Sequence, residues 1–318
     1  MSIELWLSQA LSCYKLDMPS ARLIRHNENA AWQITDISGN RFVLRVHQPR
    51  KGFSQALFDI DKAASLQGEL ALLRSLGEQG DIPVQTPVLN RAGEALSRLP
   101  GGEYATLLTW LDGDTLEHIE LMPSTLTEIG RMTARIHSCF QKAEVLPAPA
   151  GRAYDKLLAE SMKDRLLNMG LSGRISMDHV NAMTEALTVI GRRMTELDGL
   201  KNSFGIVHSD LSKSNMLLHE DRVAPIDFGL WGYGYYYMDL GALASHFTKE
   251  EQQQAIFAGY ESVAGFIVEQ RFVQPFISLG ILLYICAFGE HVCTEAWFSN
   301  ALDRWRQTFF QPLAEGAC

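Results

Sequence analysis

Apolar and polar residues alternate through the first part of the chain: one run ends near Ile24, a second carries Trp32 and Ile34, and a third is Phe42-Val43-Leu44-Arg45-Val46. With a Ser38-Gly39-Asn40 turn before the third run, period two predicts a small antiparallel sheet from Arg22 to Val46. In its last strand Phe42, Leu44 and Val46 share one face and Val43, Arg45 and His47 the other. Leu66, Leu70 and Leu73 then follow helical spacing, and a further strand pattern runs from Tyr104 to Trp110 until Asp112-Gly113-Asp114 breaks it. Beyond that break the spacing becomes three and four. One helix is expected from Thr125 to Phe140 with Ser124 as its cap, and another through Val180, Met183, Leu187, Ile190, Met194 and Leu197. A helical pattern also runs from His246 to the end, punctuated at Pro275 and Pro312, and one short strand pair at 216–226 interrupts the helices. The pattern predicts an α+β protein with a sheet-rich domain over 1–111 and a mostly helical one over 112–318. The most apolar run, Phe276 to Phe288, is shorter than the roughly 18 to 20 residues a bilayer span needs, so a buried helix is expected and no membrane span.

The chain has 318 residues, 47% hydrophobic and 20% charged, enough for two modest folded domains. Its first residues, Met1-Ser2-Ile3-Glu4-Leu5-Trp6-Leu7, lack the basic start and apolar run of a secretory leader and read as mature sequence. The five cysteines are scattered without a C-x-x-C pair, which predicts a reducing, cytoplasmic setting. The nine histidines show no zinc-ligand spacing. Residues 1–111 sum to zero charge, so 112–318 carry the whole net charge of −9. Nucleic acid, which needs a basic stripe, is excluded as an expected partner. A cationic acceptor on the acidic half fits, as does an acidic surface kept for solubility.

The chemistry concentrates in Ile206-Val207-His208-Ser209-Asp210-Leu211-Ser212-Lys213-Ser214-Asn215 and Ile226-Asp227-Phe228-Gly229, joined by two apolar runs, Met216-Leu217-Leu218 and Val223-Ala224-Pro225-Ile226, around the polar turn His219-Glu220-Asp221-Arg222. Folded as a hairpin, the start of the first run and the end of the second lie side by side, so Asn215 and Asp227 emerge together. An amide oxygen, a carboxylate and phosphate oxygens are the hard ligands that Mg²⁺ accepts. Asp210, just upstream, is then placed to take a proton from a hydroxyl. In the first domain Glu69 projects onto the apolar face of its helix, where an unpaired carboxylate costs several kcal/mol. Arg45 is its natural cation.

His208-x-Asp210-x₄-Asn215 followed by Asp227-Phe228-Gly229 resembles the catalytic loop and metal segment of kinase-like phosphotransferases, in particular the aminoglycoside phosphotransferase and choline kinase group. The resemblance implies a protein-kinase-like two-lobed fold, with a small antiparallel-sheet N-lobe and a larger, mostly helical C-lobe. It implies ATP, with GTP as the alternative nucleotide, and Mg²⁺. Asp210 becomes the catalytic carboxylate, and Asn215 and Asp227 the metal ligands. Arg45 and Glu69 match the pair that grips the nucleotide phosphates, with arginine where the family usually has lysine. His26-Asn27-Glu28-Asn29-Ala30 stands at the phosphate-covering loop, which puts Asn29 near phosphate, and backbone groups at Thr109 and Leu111 would meet adenine. Asp239 matches the acid that braces the catalytic loop, and His208 is expected to pack it. Lys213 is either a phosphate contact or a solvated lysine. The rings Trp231, Tyr233, Tyr235, Tyr236 and Tyr237 are expected in the core, with the acceptor pocket as the alternative. Only eleven residues separate Asp227 from Asp239 and Ser209 stands where protein kinases carry arginine, which favours a small hydroxylated acceptor over a protein. A stress-response type Ser/Thr kinase and a nucleotide-binding pseudokinase are the other readings of the same motifs.

Overall fold

A computed structural model describes residues 2–17, 19–26, 29–47, 57–58, 60–141 and 151–316. Two compact units share them: the first holds the described residues of Met1–Lys51 and Asp61–Asp114, the second those of Gly52–Ile60, Thr115–Glu144 and Gly151–Cys318. The division therefore falls after Asp114 rather than at 111, and the piece carrying Phe58 goes with the second unit. The reason is local. Asp112 accepts from Arg41 Nη2 at 2.7 Å and from Trp110 Nε1 at 3.2 Å, which ties the expected boundary turn back onto the first sheet.

In the first unit α1 (Ile3–Ser12) precedes β1 (Ser20–His26), β2 (Asn29–Thr35), β3 (Arg41–His47), α2 (Lys62–Gln79), β4 (Ser97–Arg98) and β5 (Tyr104–Thr109). The strands form one sheet in the order β1-β2-β3-β5-β4. Its core joins Trp32, Ile34, Leu44, Val46 and Leu107 to Ala10 of α1 and to Tyr14. Sequence pattern had not assigned α1, whose Ser2 cap accepts from the Leu5 N–H. Asp61 caps α2 in the same way, and Gly80, at φ 71°, ends it in the left-handed conformation that glycine adopts without steric cost.

The chain passes through β6 (Asp114–Thr115) into α3 (Pro123–Gln141), β7 (Arg152–Tyr154), α4 (Lys156–Leu171), α5 (Met177–Asp198), β8 (Phe204–Val207), β9 (Met216–His219), β10 (Arg222–Pro225) and β11 (Gly232–Tyr235). Then come α6 (Tyr237–His246), α7 (Glu250–Ala264), α8 (Gln270–Val292), α9 (Ala296–Trp305), a π-helical turn over Arg306–Phe310, and α10 (Gln311–Ala314). Four sequence expectations change. Pro123, not Ser124, opens α3, because proline suits a first helical turn whose N–H groups have no partner. Pro275 lies buried inside α8 instead of ending a helix. The helical unit holds a second small sheet, in the order β7-β11-β8, besides the β9–β10 hairpin. And α8 is 23 residues long, apolar enough by length and composition to cross a membrane, yet 67% of its most apolar stretch is buried inside the fold. It is packed as a core helix, through residues such as Phe272, Phe276, Leu279 and Leu282.

The aromatic run fills core. Trp231, Tyr235, Tyr236 and Tyr237 are buried and only Tyr233 is half-exposed. Helices α3 and α7 cross with almost no space between them: a Cβ on Gly130 would strike the Ile256 carbonyl oxygen and lie 2.6 Å from the Tyr260 nitrogen, and one on Gly259 would strike the Thr127 carbonyl. Backbone cannot give as a side chain can. Gly130→Ala is therefore expected to destabilise by about 1–3 kcal/mol, despite alanine's better helix propensity, as read by urea denaturation. An unchanged or raised midpoint would show that the crossing relaxes freely.

Candidate active site

The second unit builds its polar centre on the loop that leaves β8. Asp239, in the first turn of α6, is fully buried and accepts three hydrogen bonds: from the His208 N–H at 2.9 Å, the Ser209 N–H at 2.7 Å and His137 Nε2 at 2.9 Å. Burial alone would raise its pKa, but the bonds and charges of His137 and His208 outweigh that and hold the carboxyl below its ordinary range. The far side of the His137 ring meets the Tyr260 hydroxyl at 2.8 Å, and its face stacks on Tyr236 at 4.2 Å. The tight α3–α7 crossing is what brings Tyr260 to His137. Ser209 takes φ 64°, a conformation costing a non-glycine residue about 1–3 kcal/mol, and the Asp239 carboxylate holds its N–H there.

Asp210 follows. Its N–H donates to His208 Nδ1 at 3.2 Å, so Nδ1 is an acceptor and Nε2 carries the proton given to the Ile226 carbonyl at 3.1 Å. His208 thus locks the loop to the segment that delivers Asp227, as expected of a packing residue. A 3₁₀ turn over Lys213–Asn215 brings Asn215 back, and its Nδ2 donates to the Asp210 carbonyl at 3.0 Å and to Asp210 Oδ2 at 2.8 Å. That pairing assigns the amide: Oδ1 faces away from Asp210 and is left as an oxygen donor. The Ile226 N–H donates to the Asn215 carbonyl at 2.9 Å, which sets Asp227 beside it at φ 63°. Among the described residues no group of three or more His, Cys, Asp or Glu is placed to hold a metal. One carboxylate and one amide oxygen fit a cation that takes its other ligands from phosphate and water, as Mg²⁺ does.

In the first unit Arg45 Nη2 and Glu69 Oε1 lie 2.6 Å apart, with the residues 8% and 2% exposed. The ion pair expected from the helix projection is present. On the same face of β3, His47 is buried against Thr106 Oγ1 at 2.9 Å, and burial followed by the charges of Arg45 and Lys62 depresses its pKa well below the ordinary histidine value. Asn27 and Glu28 of the expected phosphate loop lie outside the described residues; Asn29 opens β2 opposite His47. The two backbone groups of Thr109 are placed differently. Its N–H donates to the Thr86 carbonyl at 2.9 Å, because β5 is extended by that strand-like contact, so it is not a donor for a base. Its carbonyl meets only Gln85 Nε2 at 3.4 Å, and Leu111 makes no backbone hydrogen bond among the described residues. Lys213 sits over the Phe247 ring at 4.9 Å, a third arrangement besides phosphate contact and free solvation.

A family model described as the phosphotransferase enzyme family matches residues 20–271, which include both units' polar clusters. This chain belongs to the phosphotransferase enzyme family. It is similar to a homoserine kinase of Methylobacillus flagellatus, 30% identical over 176 residues that make up 54% of this chain and 49% of that protein. The chain thus spans about half the length of the curated relatives it matches. Two solved structures share the fold: a microcompartment-associated aminopropanol kinase (TM-score 0.75, 23% identity, 98% of this chain and 99% of that one) and an amicoumacin kinase in complex with AMP-PNP, Ca²⁺ and Ami (TM-score 0.74, 17% identity, 99% and 94%). The fold of this phosphotransferase family member is therefore kinase-like, an antiparallel sheet followed by a mostly helical region.

Within that family frame, sequence reasoning missed His137, Tyr260, Arg152 and Tyr154. The last two stand at alternate positions of β7 and donate to successive carbonyls of the loop after Asp227: Arg152 Nη1 to Gly229 at 2.9 Å and Tyr154 Oη to Leu230 at 2.6 Å. Burial pushes the Tyr154 phenol up to about 12, so it stays a donor. His137 left a usable signal, a polar ring among Ile129, Met132, Thr133 and Ile136 on the buried side of α3.

Proposed function

We propose that this protein is an ATP-dependent O-phosphotransferase that moves the γ-phosphate to the hydroxyl of a small molecule. One observation carries the proposal: Asp210, Asn215 and Asp227 are bound into a single unit by the Asn215 amide, the His208 ring and the Ile226 backbone, all resting on Asp239. Asp210 orients the acceptor hydroxyl and receives its proton as the acceptor oxygen bonds to Pγ. The bond from Pγ to the β,γ-bridging oxygen breaks, ADP leaves, and the proton passes to solvent. Magnesium held by Asn215 Oδ1 and Asp227 would supply charge neutralisation on the nucleotide phosphates. Arg45, steadied by Glu69, is assigned the nucleotide phosphates, and the Leu111 backbone with the Thr109 carbonyl the adenine.

The similar proteins include kinases of homoserine, aminopropanol and amicoumacin, which supports a hydroxylated, amine-bearing small acceptor. The excess acid of residues 112–318 suits such a cation. An ADP-release assay with magnesium, ATP or GTP, and a panel of amino alcohols, hydroxy amino acids and hydroxylated antibiotics tests the proposal. Acceptor-stimulated turnover that depends on Asp210 supports it. Nucleotide binding without turnover on any acceptor would instead favour a pseudokinase.

A further inference from the structure

Arg152 stands out in the second unit. Most cations there that approach a carboxylate are paired: Arg135 with Glu128, Arg165 with Glu290, Arg271 with Glu196 and Glu269. Arg152 is half-buried and has no carboxylate partner among the described residues, although its unit carries most of the chain's excess negative charge. Of the five N–H bonds a guanidinium offers, one is used, by Nη1 on the Gly229 carbonyl. Nε is shut off from water with no hydrogen-bond partner among the described residues. The flat of the group lies over the Phe58 ring at 5.5 Å, which strips water from one face without supplying an acceptor. A buried donor on a charged group costs free energy until an acceptor reaches it. None of the described residues supplies one.

The position is as telling as the vacancy of partners. Gly229 lies two residues past Asp227, and Tyr154, two positions along β7 from Arg152, donates to the next carbonyl, that of Leu230. Arg152 and Tyr154 therefore both hold the loop that follows Asp227. A guanidinium held on the loop after Asp227 is the wrong group for a purely cationic acceptor, which it would repel. It is the right group for an anionic substituent on that acceptor, since its planar fork matches a carboxylate.

We propose that Arg152 binds the acceptor's carboxylate, and that the acceptor is a hydroxylated α-amino acid rather than the corresponding amino alcohol. The inference rests on the phosphotransferase reading above. It separates two chemistries found among the similar proteins, because homoserine carries a carboxylate and aminopropanol does not. The ammonium of such an acceptor faces the acidic unit and its carboxylate faces Arg152.

Matched pairs differing only by the carboxylate test this on the full chain with Mg-ATP: L-homoserine against 3-amino-1-propanol, L-threonine against 1-amino-2-propanol, and L-serine against ethanolamine. The wild type is expected to favour the carboxylated member of the pair it uses best. Arg152→Met is expected to lower the ratio of kcat/KM within that pair by about 10- to 100-fold, mainly through KM of the amino acid, with Arg152→Lys restoring part of it. If Arg152 only steadies Gly229, the substitution depresses both members equally and the ratio stays, which overturns the assignment. A wild-type preference for the amino alcohol overturns it too. Turnover confined to acceptors without a carboxylate sinks this inference and leaves the phosphotransferase reading standing, whereas no Asp210-dependent turnover on any acceptor sinks both.

Discussion

Asp210→Asn is expected to lower kcat by about 10²- to 10⁴-fold while the KM for nucleotide stays within about threefold of wild type, because the change removes a proton acceptor and little else. The asparagine oxygen can still receive the Asn215 amide, which now bonds to Asp210 Oδ2 at 2.8 Å, and the Asp210 N–H keeps its bond to His208. The loop is thus held while its basicity is lost. Steady-state ADP release separates the two parameters, and a melting curve close to wild type confirms that the loop is intact. Retained kcat in a folded Asp210→Asn protein would remove Asp210 from the chemistry and take the proposed reaction with it.

Asp239→Ala is expected to cost about 3–5 kcal/mol of stability and to lower kcat with it. Three donors converge on this carboxylate, and its loss leaves the His208 and Ser209 N–H groups and His137 Nε2 without it in a fully buried place. Ser209 would then hold its positive φ without the bond that compensates it. Asp239 touches no reacting group in the proposed mechanism; it positions. A structural role predicts that kcat falls at temperatures where the variant is still folded, since the loop carrying Asp210 shifts, while Asp239→Asn, which keeps one accepting oxygen, recovers part of both losses. Urea denaturation and kcat measured below the melting transition decide this, and a stable variant with normal kcat would show the network to be dispensable. The pH dependence has a definite sign. The folded pKa of Asp239 lies below the unfolded value near 3.8, so its contribution is fully present above that value and is lost as pH falls through the lower folded one. Wild type should lose this increment only in strong acid, and Asp239→Ala should lack it throughout.

Much of the site was legible because its parts are close in sequence. Asp210, Asn215 and Asp227 belong to one loop and one hairpin, and the two-residue turn between β9 and β10 fixes which ends meet. Glu69 was legible for a different reason. A carboxylate on the apolar face of α2 contradicts burial unless a cation meets it, and Arg45 stands on the facing side of β3. The Trp231–Tyr237 rings were assigned to the core from their size alone, and four of the five are there.

Other parts left no local trace. His137 and Tyr260 are 123 positions apart, and their bond depends on how closely Gly130 and Gly259 let two helices approach. β7 is three residues long and pairs in parallel with β11, so neither periodicity nor a turn announces it, and the placing of Arg152 followed only from that pairing. The sequence did not say which backbone group at Thr109 stays open, and Thr86, more than twenty residues away, takes the N–H.

By itself, then, the sequence determined the order of sheet and helices, the hairpin that joins Asn215 to Asp227 and the buried pair in the first unit. These rest on periodicity, turn chemistry and the cost of burying a lone charge, all of which act over a few residues. The tertiary structure alone decided that His137 and Tyr260 support Asp239, that the Thr109 N–H is taken by Thr86, and that Arg152 reaches the Gly229 carbonyl on the loop after Asp227. Such contacts form between elements far apart in the chain, where no spacing rule reaches and only the packing of backbones settles which side chains meet.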